Sequence, residues 1–319
     1  MSNTIVISTT DDPYLNLAFE EVLCRNCTEG ITLFLWQNHD TVVIGRNQNA
    51  WSECSLSSMK EDGVRLARRT TGGGTVFHDK GNLCYSFIFP SESQAKDTGY
   101  TIIIEALKRL GIQAVLNGRN DLTTTDNRKF SGNAFRLKDG IFLHHGTLLV
   151  SSRVERMGRY LSPSFEKLRS KGISSVRSRV INLTELQSTL TIESLKEALI
   201  GVITEKYGAE NRVFDCTSGE VLKIRDEMAD PLWLYGRNKE ADVTLSHRFS
   251  WGSIDLFLMV TDAKVSGITV CTDSLDTELA DELQNALTGC EFIPGGLSGH
   301  LPDGPNKDDL KQWLESLAL

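Results

Sequence analysis

Two short passages of the sequence hold the residue types that could bind and activate anions. The first is RRTTGGGTVFHDKGN, from Arg68 to Asn82. Its three consecutive glycines, Gly72–Gly74, can bring several backbone N–H groups close to a ligand because no Cβ blocks the approach. Arg68 and Arg69 come directly before them and offer planar guanidinium groups that suit phosphate or carboxylate. The passage therefore predicts an anion-binding loop, whereas three glycines alone would be more typical of a flexible hairpin.

The second passage is NRKFSGNA, from Asn127 to Ala134. Lys129 lies there between a polar turn and a stretch of small residues. A lysine at such a position can hold one compact positive charge against a carboxylate or phosphate, and it does not titrate near neutral pH. Taken alone, Lys129 is more typical of a solvated surface lysine, so a functional interpretation depends on the other passages.

The sequence lacks the patterns of several common catalytic sites. Neither the phosphate-binding Gly-x-x-x-x-Gly-Lys-Ser/Thr nor the dinucleotide-binding Gly-x-Gly-x-x-Gly occurs, and no Gly-x-Ser-x-Gly elbow is present. The cysteine nearest to the glycines is Cys84, which lies inside an apolar run. His144 and His145 are adjacent on an apparent strand and should point to opposite faces, so we do not expect them to share a metal. Chemistry driven by positioning and charge is favoured over covalent catalysis.

Short apolar runs bounded by turn residues predict strands, and helical periodicity predicts the helices between them. Asp11-Asp12-Pro13 favours a helix start, because an aspartate can cap free N–H groups and proline fits the first turn. The other predicted elements are strands at Thr32–Trp36, Thr41–Ile44, Leu83–Phe89 and Ile141–Val150, and helices at Ile102–Leu110 and Ile192–Tyr207. Because strands and helices mix without strict alternation, the sequence predicts an α+β fold.

The last part of the chain predicts a separate small module. Strand-like runs at Ser253–Val260 and Lys264–Cys271 precede predicted helices at Thr277–Leu287 and Lys307–Leu317. Residues 250–319 hold three basic and twelve acidic side chains, whereas residues 1–249 hold 31 and 30. The charge pattern and the element pattern change at nearly the same point. We therefore predict a catalytic domain over residues 1–245 and an acidic accessory domain over residues 249–319.

Composition limits the class of protein and its location. The chain has 319 residues, 40% of them hydrophobic, and a net charge of −8. A net negative charge argues against a dedicated nucleic-acid binder. No apolar run approaches the roughly 18 residues of a membrane span, and no signal peptide is recognised at the N-terminus. Seven dispersed cysteines are typical of reduced thiols. The expectation is a cytoplasmic enzyme with no nucleic-acid or membrane partner.

Several passages together resemble the lipoate-protein ligase family, within the wider superfamily of biotin and lipoate ligases. The resemblance rests on the glycine-rich passage, the lysine passage and further matches at Gly45–Asn49, Gly118–Leu122, His144–Leu148 and Gly172–Val180. It extends to the acidic C-terminal part, around Phe249–Leu258 and Phe292–Leu301. This similarity implies a large mixed-sheet catalytic domain of the biotin/lipoate ligase type, followed by a small α+β accessory domain.

The resemblance also implies a reaction and residues for it. Lipoate would react with ATP to give lipoyl-AMP and pyrophosphate, and the lipoyl group would then pass to a lysine of an acceptor protein. Lys129 would bridge the carboxylate and α-phosphate oxygens, and Arg69 would act beside it as the second catalytic residue. The residues implied for binding ATP or lipoyl-AMP are Arg69, Thr71, Gly72, Gly73, Gly74, Thr75, Val76, Phe77, His78, Asn82, Asp121 and Lys129.

Further expectations concern the metal, the lipoyl chain and the acceptor. Asp121, with help from Asn82, would place Mg²⁺. The candidates for an apolar lipoyl tunnel are Trp36, Val42, Gly74, Val76 and Phe77, although all except Gly74 would be equally at home in a core. The implied acceptors are the lipoyl domains of 2-oxoacid dehydrogenase E2 subunits and the glycine cleavage H protein.

A basic stretch suggests where such an acceptor would dock. Residues 153–179 hold eight basic side chains and two acidic ones. The basic residues are Arg153, Arg156, Arg159, Lys167, Arg169, Lys171, Arg177 and Arg179. A solvated helical face would explain such a run, but an acidic acceptor domain favours the interpretation as an electrostatic docking surface.

Two other functions fit parts of the same pattern. An ATP-independent transferase that moves lipoyl or octanoyl groups between carrier proteins would share the lysine passage. Several such relatives need a cysteine nucleophile, and no well-placed cysteine is apparent here. A non-catalytic lipoate or nucleotide binder would not need Arg69, Lys129 and the glycine-rich passage together. The adenylate-forming ligase is therefore the favoured prediction.

Overall fold

The computed structural model describes residues 3–91, 95–118, 120–161, 180–211, 218–236, 241–293 and 296–317. The strands are β1 (Thr4–Ile7), β2 (Thr32–Trp36), β3 (Thr41–Ile44), β4 (Arg65–Arg68), β5 (Val76–His78), β6 (Asn82–Phe89), β7 (Val115–Asn117), β8 (Asp121–Thr123), β9 (Lys129–Lys138), β10 (Ile141–Leu149), β11 (Glu210–Asn211), β12 (Val243–Phe249), β13 (Gly252–Thr261) and β14 (Lys264–Thr272). The α-helices are α1 (Pro13–Arg25), α2 (Ala50–Glu53), α3 (Leu56–Glu61), α4 (Ala95–Arg109), α5 (Val154–Tyr160), α6 (Ile192–Tyr207), α7 (Gly219–Ala229), α8 (Pro231–Tyr235), α9 (Leu279–Leu287) and α10 (Lys307–Ser316). The predicted α+β class is confirmed, and no described helix has the length and apolar character needed to cross a membrane.

A large mixed sheet forms the centre of the molecule, in the order β11-β1-β2-β6-β10-β9-β8-β7. Strand β1 is parallel to β2 and β11, whereas the other pairs are antiparallel. Helices α4 and α6 pack together, as do α1 and α7. Successive side chains of a strand point to opposite faces. In β2, Leu33 and Leu35 accordingly join one core with α4 and α6, while Phe34 and Trp36 join another with α1 and α7.

Local sequence signals account for the helix ends that position these cores. The Asp12 carboxylate accepts hydrogen bonds from the backbone N–H groups of Tyr14 and Leu15, and Pro13 occupies the first helical position. This arrangement confirms the predicted start of α1, and it follows because an N-cap carboxylate satisfies N–H groups that have no partner in the helix. Helix α6 begins after a reciprocal Thr191–Ser194 capping pair and ends at Gly208, which has a φ of 69°.

A smaller sheet has the order β4-β3-β5, with β3 parallel to β4 and antiparallel to β5. One face packs on helices α2, α3, α5 and α8 through a separate apolar cluster. The Arg68–Asn82 passage therefore starts at the end of β4, crosses the glycines, and continues through β5 into the large sheet at β6. The predicted anion-binding loop lies where the two sheets meet.

The C-terminal part has its own three-stranded antiparallel sheet, in the order β12-β13-β14, and its own apolar core. Helices α9 and α10 contribute Leu279, Leu283, Leu310 and Trp313 to that core. The two strands and two helices predicted there are confirmed with shifts of one or two residues at their ends. Strand β12 was not predicted, and it spans residues 243–249, so the first strand of this sheet begins before the predicted domain boundary. The boundary itself stays a prediction.

Arg68 connects strand β4 to the turn after β3 and to helix α8. Its side chain, 1% exposed, donates hydrogen bonds to the carbonyl oxygens of Gly45, Arg46 and Gln48 and to those of Trp233 and Leu234 in α8. The prediction that Arg68 offers a free guanidinium to an anionic ligand is therefore wrong. A buried cation surrounded by carbonyl oxygens is a structural anchor, because each oxygen loses hydration and needs a donor in return.

Replacing Arg68 with methionine should destabilise the protein by about 3–5 kcal/mol, since the five carbonyl oxygens would lose their donor in a buried site. Arg25→Met is the matched control, because Arg25 forms an exposed ion pair with Glu220, with side-chain exposures of 57% and 49%. Such pairs contribute about 0–1 kcal/mol. Urea unfolding of both variants measures the difference. Equal losses of stability in the two variants would contradict the anchoring role of Arg68.

Candidate active site

One cavity lies at the junction of the two sheets and is lined by six residues of the glycine-rich passage. It encloses about 660 Å³, including its open mouth. Eight of the predicted site residues line it: Trp36, Arg69, Gly73, Gly74, Thr75, Val76, His78 and Lys129. Ten further lining residues were not assigned to the site from the sequence: Leu17, Val43, Cys84, Asn120, Gly132, Asn133, Ala134, His145, Gly146 and Thr147. The structure thus brings the glycine-rich and lysine passages to one place.

The cavity has an apolar, buried end and a polar, partly exposed end. Leu17, Trp36 and Val43 are each at most 4% exposed and come from α1, β2 and β3. Lys129, in contrast, has a side chain that is 40% exposed. A cavity that is apolar at depth and carries a cation toward solvent suits an amphipathic molecule with an apolar body and an anionic end.

Strand alternation excludes two predicted tunnel residues from the cavity. On β3, Val43 lines the cavity, so Val42 points to the other face, where it joins the cluster that packs on α2, α3, α5 and α8. On β5, Val76 and His78 line the cavity, and Phe77 pairs with Val42 on the far face. The predictions that Val42 and Phe77 line the tunnel are wrong for this reason. The alternation of side chains between the two faces of a strand is the signal that would have identified Val43.

The glycines are held in shape by contacts that a side chain would block. Gly73 has a φ of +90°, in the left-handed region that favours glycine. A Cβ added to Gly72 would lie 2.2 Å from the carbonyl oxygen of Ser274, in the C-terminal part of the chain. The Gly73 N–H donates to that same oxygen over 3.0 Å. One of the N–H groups expected to face an anion is therefore directed to the segment that follows β14.

Other contacts join this segment to the turn after β3. The N–H of Thr272 donates to the carbonyl oxygen of Asn47 over 3.0 Å, and the Asn47 side-chain amide donates to the carbonyl oxygen of Thr277 over 3.0 Å. Arg46 forms an ion pair with Asp281 over 3.3 Å. The predicted match at Gly45–Asn49 thus lies at the contact between the glycine loop and the C-terminal part.

Arg69 lines the cavity, but its donors are directed to the loop itself. Its guanidinium donates to the carbonyl oxygens of Gly72 over 2.7 Å and Gly74 over 2.8 Å, to that of Val43 over 3.2 Å, and to the hydroxyl of Thr71 over 3.1 Å. Burial lowers the pKa of Arg69 to about 10, so the group remains a cation at neutral pH. Arg69 therefore fixes the shape of the loop and places a positive charge beside the cavity.

A chain of three buried groups connects Arg69 to helix α1. The Thr71 hydroxyl lies 2.8 Å from Nε2 of His145, and Nδ1 of His145 donates to the Glu20 carboxylate over 2.9 Å. Burial raises the pKa of Glu20, but the charge of His145 and hydrogen bonds from His145 and Ser86 outweigh it, so the pKa lies below the ordinary value. Thr71 is fully buried and does not line the cavity. Its hydroxyl is therefore used for support, in contrast to the predicted ligand role.

A parallel chain supports the neighbouring threonine. Arg136 on β9 donates to the Glu21 carboxylate and to the Thr70 hydroxyl, both over 2.5 Å, and Thr70 in turn donates to Glu21 over 2.6 Å. The Glu21 carboxylate and the Arg136 guanidinium are 11% and 8% exposed. Two adjacent carboxylates of α1 thus hold the two threonines that precede the glycines. Sequence reasoning missed all four supporting groups, because they are distant from the loop in sequence.

Lys129 stands at the start of β9 with one carboxylate beside it. Its ammonium nitrogen lies 2.8 Å from Oδ1 of Asp121, and the Asp121 side chain is 35% exposed. A Cβ on Gly132 would come within 3.0 Å of that nitrogen, so the glycine leaves the space that the lysine side chain fills. Asp121 does not line the cavity itself, but it contacts Lys129, which does. The structure therefore joins the match at Gly118–Leu122 to the lysine passage through a direct ion pair.

His78 and Cys84 meet at the buried end of the cavity. Nδ1 of His78 accepts a hydrogen bond from the Asn38 amide over 3.2 Å and lies 3.5 Å from Sγ of Cys84. Asn82 donates its amide to the same sulfur over 3.2 Å and does not line the cavity, so the structure does not support its predicted contact with ATP. Burial raises the pKa of Cys84 well above its ordinary value. A thiol that stays protonated is a weak nucleophile.

The described residues contain no cluster of three or more metal-ligating side chains. Among the described residues, Asp121 is the carboxylate that pairs with Lys129, and it is the residue predicted to hold Mg²⁺. The predicted contribution of Asn82 to this site is not supported, because its side chain faces Cys84.

Three of the eight basic residues predicted to form a docking surface have ion-pair partners within the domain. Arg153 and Arg156 bind Asp40, and Arg159 binds Asp62 over 2.6 Å. Arg156 and Arg159 lie in α5 and Arg153 is its N-cap residue, so these ion pairs fasten the helix to the rest of the domain. The other five basic residues, and nearly all of the match at Gly172–Val180, lie outside the described residues, as does Arg119.

Comparison with known proteins identifies similar chains. Residues 12–204 match the family described as the lipoyl protein ligase A/B catalytic domain, and residues 238–313 match the bacterial lipoate protein ligase C-terminus. The chain is 37% identical to a lipoate-protein ligase A from Psychrobacter cryohalolentis over 334 aligned residues, covering 98% of each protein. It is similar to the lipoate-bound crystal structure of LipL1 from P. falciparum, with a TM-score of 0.88, 30% identity, and coverage of 99% of this chain and 100% of that one. A crystal structure of a lipoate-protein ligase A bound with ATP gives a TM-score of 0.64 and 25% identity, with coverage of 74% and 99%.

The buried histidines predict a loss of stability in mild acid. Burial lowers the pKa values of both His78 and His144 to about 3, whereas the unfolded chain has histidine pKa values near 6.5. Below about pH 6.5 the unfolded chain therefore binds protons that the folded chain does not. The free energy of unfolding consequently decreases as the pH decreases. The two histidines together should lower the free energy of unfolding by about 2.5 kcal/mol between pH 7.0 and 5.5.

Urea unfolding at the two pH values tests this expectation. His144→Gln should remove about half of the difference, whereas His300→Gln, at an exposed position, should leave it unchanged. An unaltered pH dependence in His144→Gln would contradict a neutral, buried imidazole at that position.

Proposed function

The chain belongs to the lipoate-protein ligase A family, and from this premise we propose that it joins lipoate to a protein lysine in two ATP-driven steps. In the first step a lipoate carboxylate oxygen attacks the α-phosphorus of ATP, the bond to pyrophosphate breaks, and lipoyl-AMP forms. In the second step the ε-amine of the acceptor lysine attacks the lipoyl carbonyl carbon, AMP leaves, and the amide forms with loss of one proton. The observation that carries the proposal is Lys129 at the partly exposed end of an apolar cavity bordered by the glycine loop.

The apolar end of the cavity suits the aliphatic chain and ring of lipoate. Leu17, Trp36 and Val43 give this end a surface without charge, and burial of an apolar chain there is favourable by roughly 0.8 kcal/mol per methylene group. The carboxylate would then extend toward Lys129. Val76 and Gly74 also line the cavity and would contact the chain. In this pose the reactive oxygen lies where the two passages meet.

The first step brings two anions together, so it needs positive charge and backbone donors at the meeting point. Lys129 would bridge the lipoate carboxylate and the α-phosphate, and its charge is available there because its partner is a single, partly exposed carboxylate. Arg69 would add a second positive charge from within the loop, with its donors retained on the loop carbonyls. Gly74 and Thr75 would follow the phosphates along the cavity edge.

Mg²⁺ fits the donor set beside Lys129. Magnesium in nucleotide sites is held by one or two carboxylates together with substrate phosphates and water. Asp121 offers one carboxylate. Its Oδ1 faces Lys129, and its side chain is 35% exposed. When bound, the ion would shield phosphate charge. Asp121 is the residue that would hold it.

The proposed acceptors are the lipoyl domains of 2-oxoacid dehydrogenase E2 subunits and the glycine cleavage H protein. This proposal rests on the family resemblance and on the ligase activity of the family. The partly exposed Lys129 end of the cavity is the end that an incoming lysine would reach. Electrostatic docking on the basic stretch would involve residues other than Arg153, Arg156 and Arg159, whose charges are paired.

Cys84 is the observation that bears on the alternative, an ATP-independent transferase. Cys84 lines the cavity, and its sulfur lies next to His78. This arrangement resembles a nucleophile beside a general base. The raised pKa of Cys84 and the His78 pKa of about 3 both oppose that role, because neither thiolate nor a proton acceptor of useful strength is present near neutral pH. The ATP-dependent reaction is therefore the function that we propose.

Lipoate-dependent exchange of labelled pyrophosphate into ATP tests the first step and the role of Lys129. The wild-type protein should catalyse the exchange, and Lys129→Gln should lower its kcat by about 10²–10³-fold, the loss typical when one group that stabilises developing charge is removed. Lys138→Gln on the exposed end of the same strand is the matched control and should keep the wild-type rate. Full exchange in Lys129→Gln would overturn its role. Absence of exchange in the wild type would instead favour the transferase.

The two neighbouring valines of β3 test the location of the lipoyl chain. Val43→Leu adds a methylene group inside the cavity and should raise the KM for lipoate about 10-fold or more, because one methylene group in a tight apolar pocket changes binding by about 1–3 kcal/mol. The KM for ATP should stay within about twofold. Val42→Leu adds the same group on the opposite face, so it should lower stability without changing the KM for lipoate. Equal KM values for lipoate in the two variants would place the chain elsewhere.

A further inference from the structure

We propose that Asn133 is a positioning residue that sets the location of the Lys129–Asp121 pair. The inference rests on the proposed function, in which Lys129 bridges the two reacting anions. Asn133 lies four residues after Lys129 on β9 and is 4% exposed. The sequence assigns Asn133 no role beyond its membership of the lysine passage. Its contacts give it a specific role within that passage.

All four hydrogen-bonding positions of the Asn133 side chain are used. Oδ1 accepts from the hydroxyl of Tyr85 on β6 and from Nε2 of His144 on β10, the latter over 2.7 Å. Nδ2 donates to the carbonyl oxygen of Asn120 over 2.9 Å and to the Ser131 hydroxyl over 3.3 Å. The amide is therefore fixed on one side by the buried sheet and holds the turn before β8 on the other.

The main chain strengthens the connection to that turn. The Asn133 N–H donates to the carbonyl oxygen of Asn120 over 3.0 Å, and the Asn120 side-chain amide donates back to the carbonyl oxygen of Asn133. Asp121 is the next residue, and its carboxylate lies 2.8 Å from the Lys129 nitrogen. The path from the buried sheet to the lysine charge thus runs from Tyr85 and His144 through Asn133 and Asn120 to Asp121.

The chemistry of the path requires an asparagine. An acceptor facing Tyr85 and His144 and a donor facing Asn120 must sit on one short side chain, and a carboxamide supplies both. His144 must donate from Nε2 to make this contact, and its buried Nδ1 has no hydrogen-bond partner among the described residues, as suits a neutral imidazole with its proton on Nε2. The low pKa of His144 agrees with this form. Aspartate would lose the donor, and serine is too short to reach both sides.

Positioning matters because Lys129 acts as a point charge between two anions. Its side chain is long and flexible, and Asp121 is the group that orients it before the substrates bind. A shift of about 1 Å in a group that positions reactants can cost about 10²-fold in rate. If Asn133 sets the location of Asp121, its loss should reduce kcat and leave the KM for ATP and lipoate nearly unchanged.

The test is a double-mutant cycle on lipoate-dependent pyrophosphate exchange, with Asn133→Ser, Asp121→Asn and the double variant. Asn133→Ser alone should lower kcat by about 30–100-fold, with changes in KM below about threefold. In the Asp121→Asn background the same substitution should have almost no further effect, because the path it supports already lacks its end group. Multiplicative losses, or a loss confined to KM, would overturn the proposal. A purely structural role would lower activity by the same factor in both backgrounds.

Tyr85→Phe provides a second variant in case Asn133→Ser does not fold. It removes one donor to Asn133 and should lower kcat by about 3–10-fold, in line with the loss of one hydrogen bond of about 1 kcal/mol. Tyr100→Phe is the matched control, since within the described residues the buried Tyr100 hydroxyl has no hydrogen-bond partner. It should keep kcat within about twofold. Equal effects of the two substitutions would overturn the proposal, whereas a wild-type protein without exchange would refute the proposed function instead.

Discussion

The anchoring of the glycine loop is the constraint on which the rest of the site depends. Glycines give backbone donors free access to a ligand, but they contribute no side chains that could fix the loop by packing. The shape must therefore come from groups around it. In this protein those groups are buried and polar, with Arg69 bound to the loop carbonyls and Thr71 bound through His145 to Glu20. Because a buried polar group that loses its partner is costly, such contacts hold one arrangement more strictly than apolar packing would.

The same constraint explains the charge balance of the site. Two adjacent carboxylates, Glu20 and Glu21, lie under a loop that is proposed to hold anions, and their negative charge would oppose anion binding if it were uncompensated. Glu21 is paired with the Arg136 guanidinium, and Glu20 accepts hydrogen bonds from His145 and Ser86, so both carboxylates are bound by groups outside the cavity's open end. Lys129 has an additional carboxylate in Asp121, but that pair is partly exposed, so solvent weakens its attraction and leaves the lysine charge usable. Burial thus separates the charges that support the site from the charge that acts in it.

The sequence predicted much of the fold and eight of the eighteen residues that line the cavity, for reasons that are local. Helix α6 and strands β2 and β3 were predicted with the observed bounds, because caps, turns and periodicity lie within the elements themselves. Lys129 and the glycines were recognised as chemistry-bearing, and Lys129, Gly73 and Gly74 line the cavity. Arg68 was assigned the wrong role, since its type and position match those of Arg69 and only the tertiary structure encloses it. The predictions that Val42 and Phe77 line the cavity were wrong because the neighbouring elements decide which face of a strand meets the cavity.

Two adjacent histidines show why the supporting network could not be found from sequence alone. His144 and His145 are consecutive on β10 and point to opposite faces, as expected for a strand. His144 binds Asn133, on the path to Lys129, and His145 binds Thr71, on the path to the glycine loop. One strand therefore supports both halves of the proposed site, and a displacement of β10 would move the lysine and the loop together. Since adenylate formation needs both at one point, a shared support keeps their spacing constant.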